Sequence, residues 1–378
     1  MPLETIKLTA GFKLDGSLPE SLFSMYREIV NLLLDYAWAK GVISFKKLKA
    51  EKYNELRMKY PGLPSHYIYT ACQMACSIYK SFRKLKRRGL AKAEKPFFKK
   101  QVVMLDDHLF SVDLENGQTS IATESGRIKL KLFHGTYHKK FKYMRIGQAW
   151  LVKRGNDLYL KVVFSKIVEL LEPNDKAIAV DINENNVVFG SENNITNIRT
   201  EERVIRTTYF LKRRKLQSNP RLNENPLLAK YKGREQRRIN VIYHKIANQI
   251  ITEAKRVAVS TVVLENLKNM RRKRSSKALN GRLNRWGFRK LQNIIDYKAK
   301  LVGLNVKYVD AKGTSSLCPI CGGKLSPNGY RLMMCPTCGL EEDRDVIAVK
   351  NLFHKHQTDV GASSVHPKSP PMIGGGKE

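Results

Sequence analysis

Four cysteines near the C-terminal end limit what this chain can fold into more than any other feature. They form two matching knuckles, CPICG (318–322) and CPTCG (335–339), in the spacing C-x2-C-x13-C-x2-C. Four thiolates at such spacing close a tetrahedral zinc site. The glycine after each pair lets the backbone turn beneath the metal without a Cβ in the way. Pro327, Asn328 and Gly329, between the pairs, suit a hairpin tip. A site closed by Cys318, Cys321, Cys335 and Cys338 keeps no open position, so the zinc is expected to be structural. A redox role fits worse, because two pairs stand at ribbon spacing. The other two cysteines, Cys72 and Cys76, lie four residues apart on a helical segment and read as core residues. No secretory pattern opens the chain, so none of the six is expected in a disulfide.

Directly after the knuckles comes LEEDRDVIAVKNLF (340–353), an acid cluster around one arginine that runs into helical spacing at Val346, Val349 and Leu352. Two more acids end apolar strands: Asp181 follows AIAV, and Glu265 follows STVVL. An acid at the end of a buried strand sits on the rim of a sheet, where sites gather. Asp181, Glu265 and Asp345 can therefore converge from two strands and a helix. Carboxylates brought together repel, and Mg²⁺, a hard cation preferring oxygen, relieves that repulsion. Two such ions can activate a water and stabilise a leaving oxygen at a phosphodiester.

The charge balance supplies a partner for that chemistry. The 378 residues hold 69 Lys+Arg against 34 Asp+Glu, a formal net charge of +35. Such an excess costs self-repulsion unless a polyanion neutralises it. Nucleic acid is the expected partner, ahead of a membrane surface. No apolar run reaches membrane-span length, and a cytoplasmic protein is expected.

The chain reads in blocks. Residues 5–14 alternate as a strand. Residues 18–95 read as helical, with Leu22, Tyr26, Ile29, Leu33 and Tyr36 on one stripe, a second helix beginning at Ser65 and a stop at Gly89. Residues 96–170 hold short β-rich runs and suggest a small antiparallel barrel or sandwich. LEPNDK (171–176) reads as a linker. From 177 the pattern is strand, turn, strand, strand. A long basic helical stretch follows over 205–256, broken near Asn219-Pro220. Then come the strand 260–266, a basic loop 271–276, a helix 284–303, the strand NVKYVD and a Gly/Pro/Ser-rich tail expected to be disordered from 357.

The order VDINENN (180–186), VVLENLKNM (262–270), GTSSLCPICG, CPTCG and DRDVIAVKN resembles the TnpB (OrfB) family of insertion-sequence transposons, compact relatives of the type V CRISPR effectors. LPSHYIYTACQMACSIYKSFRK with KPFFKK resembles the family's N-terminal region, and WGFRKLQNIIDYKAKLVGLNVKYVDAKGTSS its segment before the ribbon. The resemblance implies a multidomain α/β and α+β chain. Residues 1–15 and 96–172 would form a β-barrel wedge domain, and 16–95 a helical recognition domain. An RNase H-like (RuvC) nuclease domain would span 173–314 with the basic insertion 205–256, resume at 341–356, and carry the zinc ribbon 315–340 as an insert; 357–378 would be tail. It implies catalytic Mg²⁺, two ions, held by Asp181, Glu265 and Asp345. It also implies a guide RNA made from the transposon end, and double-stranded DNA cut beside a short flanking motif in a prokaryotic nucleoid.

One position departs from the family's D-R-D-x-N-A-A pattern: Ile347 stands where asparagine is usual. The alternative reading is therefore an RNA-guided DNA binder with impaired cleavage. A transposase proper is the third reading, but there is no His-x-His motif and the eight histidines are scattered. Arg344 would meet the scissile phosphate or pair with Glu341 or Glu342. Tyr67, Tyr69, Phe82, Phe97 and Phe98 are read as core packing or as platforms for unpaired bases. If the charge excess serves phosphates, affinity for a structured RNA should fall by roughly a thousandfold or more between about 50 and 200 mM salt. Filter binding across a salt series reads this directly, and a flat response would detach the charge from nucleic acid.

Overall fold

The computed structural model describes residues 2–192, 194–218, 226–267 and 276–364, with side chains as far as 358. The expected break at Asn219-Pro220 and most of the basic loop at 271–276 lie outside these residues. The chain divides into two compact units, Lys7–Lys166 and Met1–Ile6 with Ile167–Glu378.

In the first unit three helices pack with one antiparallel sheet. The helices are α1 (Glu20–Lys40), α2 (Phe45–Lys59) and α3 (His66–Arg87). The stripe of α1 is buried at Leu22, Tyr26, Ile29 and Leu33, with Ala37 taking the place expected of Tyr36, which is half-buried. The sequence reading ran 18–95 together and did not separate α2, a helix so polar that only Leu48 and Leu56 are buried. Ser65 precedes α3 as expected but gives no side-chain cap. Gly89 ends it in the left-handed region, φ 64°, while the Leu90 N–H returns to the Leu85 carbonyl. Cys72 and Cys76 are core thiols, buried among apolar neighbours, and burial pushes Cys72 up to about 12. The strands are β1 (Leu3–Asp15), β2 (Val102–Leu105), β3 (Phe110–Asp113), β4 (Gln118–Thr123), β5 (Gly126–Phe133), β6 (Arg145–Arg154) and β7 (Asp157–Glu169). They form a seven-stranded sheet in the order β2-β6-β7-β1-β5-β4-β3. Tyr67 and Phe98 belong to this core, whereas Phe97 is exposed.

The second unit is built on β8 (Ala177–Ile182), β9 (Asn186–Gly190), β10 (Ile195–Arg199), β11 (Thr261–Glu265) and β12 (Asn305–Val309), in the order β10-β9-β8-β11-β12. β9 and β10 return antiparallel, while β11 is parallel to both β8 and β12. Strand side chains alternate, so one face presents Ile178, Val180, Val262 and Leu264 to the helices α4 (Glu202–Gln217), α5 (Pro226–Arg256), α6 (Lys277–Arg285) and α7 (Phe288–Leu301). The opposite face presents Ala177, Ala179, Val188 and Val263 to α8 (Arg344–Ser364), through Val349, Leu352 and Phe353. The small alanines let that helix approach closely. α8 is helical to Ser364, past 357, where composition suggested disorder; residues 365–378 lie outside the described range.

The helix expected over 284–303 is two helices with a corner at Trp286-Gly287. A Cβ on Gly287 would meet Arg206 Nη2 and Tyr243 Oη at 2.6 Å each. The corner exists because it seats a buried polar cluster. Glu202, 1% exposed, accepts from Tyr243 Oη at 2.5 Å, Arg206 Nε at 2.5 Å and the Gly287 N–H at 3.1 Å. Arg206 and Arg213 both reach buried Glu235. A buried carboxylate left short of a donor bears its desolvation cost. Tyr243→Phe, isosteric but for the hydroxyl, should therefore lower unfolding stability by about 1–3 kcal/mol in urea titrations; no change would mean that the arginine alone satisfies Glu202.

Candidate active site and its zinc ribbon

Register brings the first two acids together. β8 and β11 pair in parallel with Leu264 opposite Val180, which puts Glu265 and Asp181 next on adjacent strands. Both fall in the alternation that faces α8. Asp181 is 5% exposed and Glu265 9%. Burial, and then the neighbouring Glu265 charge, raise Asp181 from the usual carboxylate range to about 7. Burial likewise raises Glu265. Each keeps one neutral hydrogen-bond donor: Asn183 Nδ2 to Asp181 at 2.7 Å, and the Thr314 hydroxyl to Glu265 at 2.9 Å. Neither acid carries an ion pair among the described residues.

Asp345 arrives on the first turn of α8, also 5% exposed. Asp343 does a different job. Its Oδ1 accepts the Asp345 N–H at 2.8 Å, so it caps the helix. Of the two aspartates it is thus Asp345 that turns inward. Asn186 Nδ2 donates to Asp345 Oδ2 at 2.8 Å and to Asn197 at 3.1 Å, leaving Asn186 Oδ1 buried without a partner. Arg331 forms an ion pair with the same Asp345 oxygen. The three acids are not all within 4.8 Å of one another, since no such group among the described residues contains them. They share one face of the sheet, but Asp345 is held by Asn186 and Arg331.

The ribbon explains where Arg331 comes from. β13 (Ser326–Pro327), β14 (Leu332–Met334) and β15 (Glu341–Asp343) form a three-stranded sheet. The acid run thus supplies the ribbon's third strand, so the ribbon extends past its expected end at 340. Gly329 takes φ 88° at the hairpin tip, as its sequence suggested. Arg331, a non-glycine residue at φ 66°, accepts the Arg344 N–H on its carbonyl at 2.8 Å and turns its side chain to Asp345. Arg344 itself donates to Ser315 Oγ at 3.3 Å rather than to Glu341 or Glu342; Glu342 pairs with Lys350 instead. Ile347 is fully buried with Cys318, Leu325 and Cys335, so at this position an apolar side chain fills the ribbon core.

The residues present fit the two kinds of metal differently. The four cysteine sulfurs converge within 4.8 Å, with Cys318–Cys338 and Cys321–Cys335 at 3.5 Å. A tetrahedron with Zn–S of about 2.3 Å has edges near 3.8 Å, so the cage suits zinc without rearrangement. The acids offer what a hard cation needs: two buried carboxylates lacking a counter-charge and an unpartnered amide oxygen on Asn186.

Sequence reasoning located the three acids but passed over Asn186, Thr314 and Arg331. Asn186 was legible as a polar residue in phase with inward-facing Val188. Nothing local marks Arg331.

Comparisons with known proteins agree with this architecture. A model described as Cas12f1-like, TNB domain, matches residues 288–352, and one described as Uncharacterized protein MJ0013 family matches 22–122. TnpB-like protein MJ0751 of Methanocaldococcus jannaschii is 38% identical over 255 residues, 62% of this chain and 88% of the relative. TnpB-like protein MJ1635 of the same organism is 24% identical over 82% of this chain and 73% of its own. The CRISPR-associated endodeoxyribonuclease Cas12f1 of Sulfoacidibacillus thermotolerans is 32% identical over 125 residues, 32% of this chain and 28% of its own. Among solved structures, Cas12f1 in its complex with sgRNA and target DNA superposes with TM-score 0.58 at 16% identity, over 88% of this chain and 82% of that one. The fold is thus that of a type V effector. No helix among the described residues is long and apolar enough to cross a membrane.

The raised pKa of Asp181 has a sign that can be checked. A carboxylate whose folded pKa lies above its unfolded value binds its proton more tightly when folded. Its contribution to stability is fully present below the unfolded pKa and is lost as pH rises towards about 7. Without divalent cations, Asp181→Asn should therefore gain thermal stability over the wild type by several degrees at pH 8 and by less at pH 5. A gap that narrows with rising pH would mean that Asp181 is not held protonated.

Proposed function

The chain belongs to the TnpB-like family, and from that premise we propose that it is an RNA-guided, Mg²⁺-dependent DNA endonuclease with a RuvC-like, RNase H-type centre. The observation that carries this reading is the placement of Asp181 and Glu265 side by side on parallel strands, facing the helix that bears Asp345. Residues 1–15 and 96–172 act as a wedge domain gripping RNA, and 16–95 as a recognition domain. Residues 173–314 and the α8 segment make the nuclease, and the ribbon leads into α8. The protein works on DNA in the cytoplasm of a prokaryotic cell, with a guide RNA from the transposon end.

Each residue has a defined task. Asn183 and Thr314 fix the orientation of Asp181 and Glu265, each through one neutral donor. Asn186 holds Asp345 from the sheet side. Arg331 keeps the Asp345 charge compensated from the ribbon side. Lys355, bonded to the Asp310 and Lys312 carbonyls at 2.8 and 2.6 Å, adds positive potential near Glu265 and secures the segment leading to Thr314. The basic surfaces hold the nucleic-acid backbone, and base pairing with the guide selects the sequence. Mg²⁺ bound at the three carboxylates would supply charge stabilisation and an activated water at the phosphodiester. The buried, purely structural place of Ile347 supports an intact centre over a retired one, since the acids it neighbours in sequence all remain.

The test is plasmid cleavage by the protein co-expressed with its own transposon-end RNA, on a matched target beside a randomised flank. Cutting should require RNA and Mg²⁺, stop with EDTA and reveal the flanking motif. Asp181→Ala removes several kcal/mol of charge stabilisation, so the rate should fall about a hundredfold or more. Guide-dependent binding without any cut would instead support the cleavage-impaired reading.

A further inference from the structure

Three metal-ligating side chains converge in the Lys7–Lys166 unit, none of them a residue of the ribbon or of the acid centre. One donor atom each from His66, Asp106 and His108 lies within 4.8 Å of the others. His66 opens α3, and Asp106 and His108 lie in the turn between β2 and β3. The geometry points to a second transition-metal site here, distinct from the ribbon and from the acid centre, that clips the start of α3 to the β2–β3 turn.

The argument begins with what is already fixed. Asp106 is buried at 8% exposure, and its Oδ1 accepts the His108 N–H at 3.2 Å. Its Oδ2 lies 2.7 Å from His66 Nδ1. An ion at this contact would take the place of the shared proton, with His66 Nδ1 and Asp106 Oδ2 both as ligands. His108 Nδ1 lies 3.2 Å from Asp107 Oδ1. The two rings are stacked, centroids 3.9 Å apart and 19° from parallel. Stacked rings cannot both aim at one ion, so one must turn. His108 is free to do so: its side chain is 63% exposed, and its only side-chain polar contact among the described residues is with a carboxylate 88% exposed. The nearby Arg127 is engaged, donating to the His108 carbonyl at 2.7 Å and to Ser120 Oγ at 3.1 Å. Asp106 and Asp107 offset its charge.

The donor set selects the ion. Two imidazoles and one carboxylate suit Zn²⁺, Co²⁺ or Ni²⁺ over Mg²⁺. Three protein ligands leave at least one position to water. The site joins residues 40 apart in sequence, so binding tightens the contact between the helix and the sheet of this unit.

Co²⁺ is the probe, because neither the cysteine cage nor the acid centre contains histidine. Full-length protein, stripped and then dialysed against Co²⁺, should bind one equivalent more than His108→Ala, an exposed position whose loss leaves the fold intact. Proton NMR should show paramagnetically shifted, exchangeable imidazole resonances in the wild type that vanish in His108→Ala. Loss of this ligand should weaken the site about tenfold or more. Equal stoichiometry in the two proteins, or shifted imidazole signals that survive in His108→Ala, would overturn the proposal.

Discussion

The parallel pairing of β8 with β11 is the constraint on which the rest of the second unit depends. It sets two carboxylates level on neighbouring strands and turns both to the same covered face. Burying two acids side by side is unfavourable, and the surroundings show how the chain tolerates it. Each acid has one neutral donor, the adjacent arginines contribute positive potential at a distance, and the proton on Asp181 is held up to about 7. A stability-driven sequence would place valine at both positions, as it does at Val180 and Val263. The retained cost is a sign of function.

The ribbon does more than gather four cysteines. Its third strand is the acid run itself, and the chain passes from that strand into α8 with Asp343 as the cap. Cysteine cluster, third strand and helix start follow one another directly along the chain. Arg331 closes the loop from the other side, holding the Asp345 carboxylate from a left-handed backbone position that few residues other than glycine adopt. Ile347 belongs to the same arrangement. It is an apolar anchor packed against Cys318 and Cys335.

Much of the fold was legible in the sequence because it rests on local periodicity. The apolar runs of β8 and β11 follow from burying a strand on both faces, and the stripe of α1 from burying one face. Legibility failed where tertiary packing overrode the local pattern. The corner at Trp286-Gly287 splits a stretch with unbroken helical character, and its cause is a polar cluster on α4 and α5, far away in sequence. α2 was not separated because so few of its residues are apolar.

By itself the sequence determined the four-cysteine cluster, the three acids and the basic surroundings. Knuckle spacing, strand-end acids and net charge are properties of short segments or of the whole composition, and need no knowledge of which segments meet. Only the tertiary structure decided that Asp343 caps while Asp345 faces inward, that Arg331 and Asn186 share one carboxylate oxygen, and that His66 meets His108 across Asp106. These pairings join residues separated by 14 to 159 positions, and they are fixed by strand register and helix placement. Side chains so far apart in sequence carry no local mark of one another, since what brings them together is the burial of quite different residues.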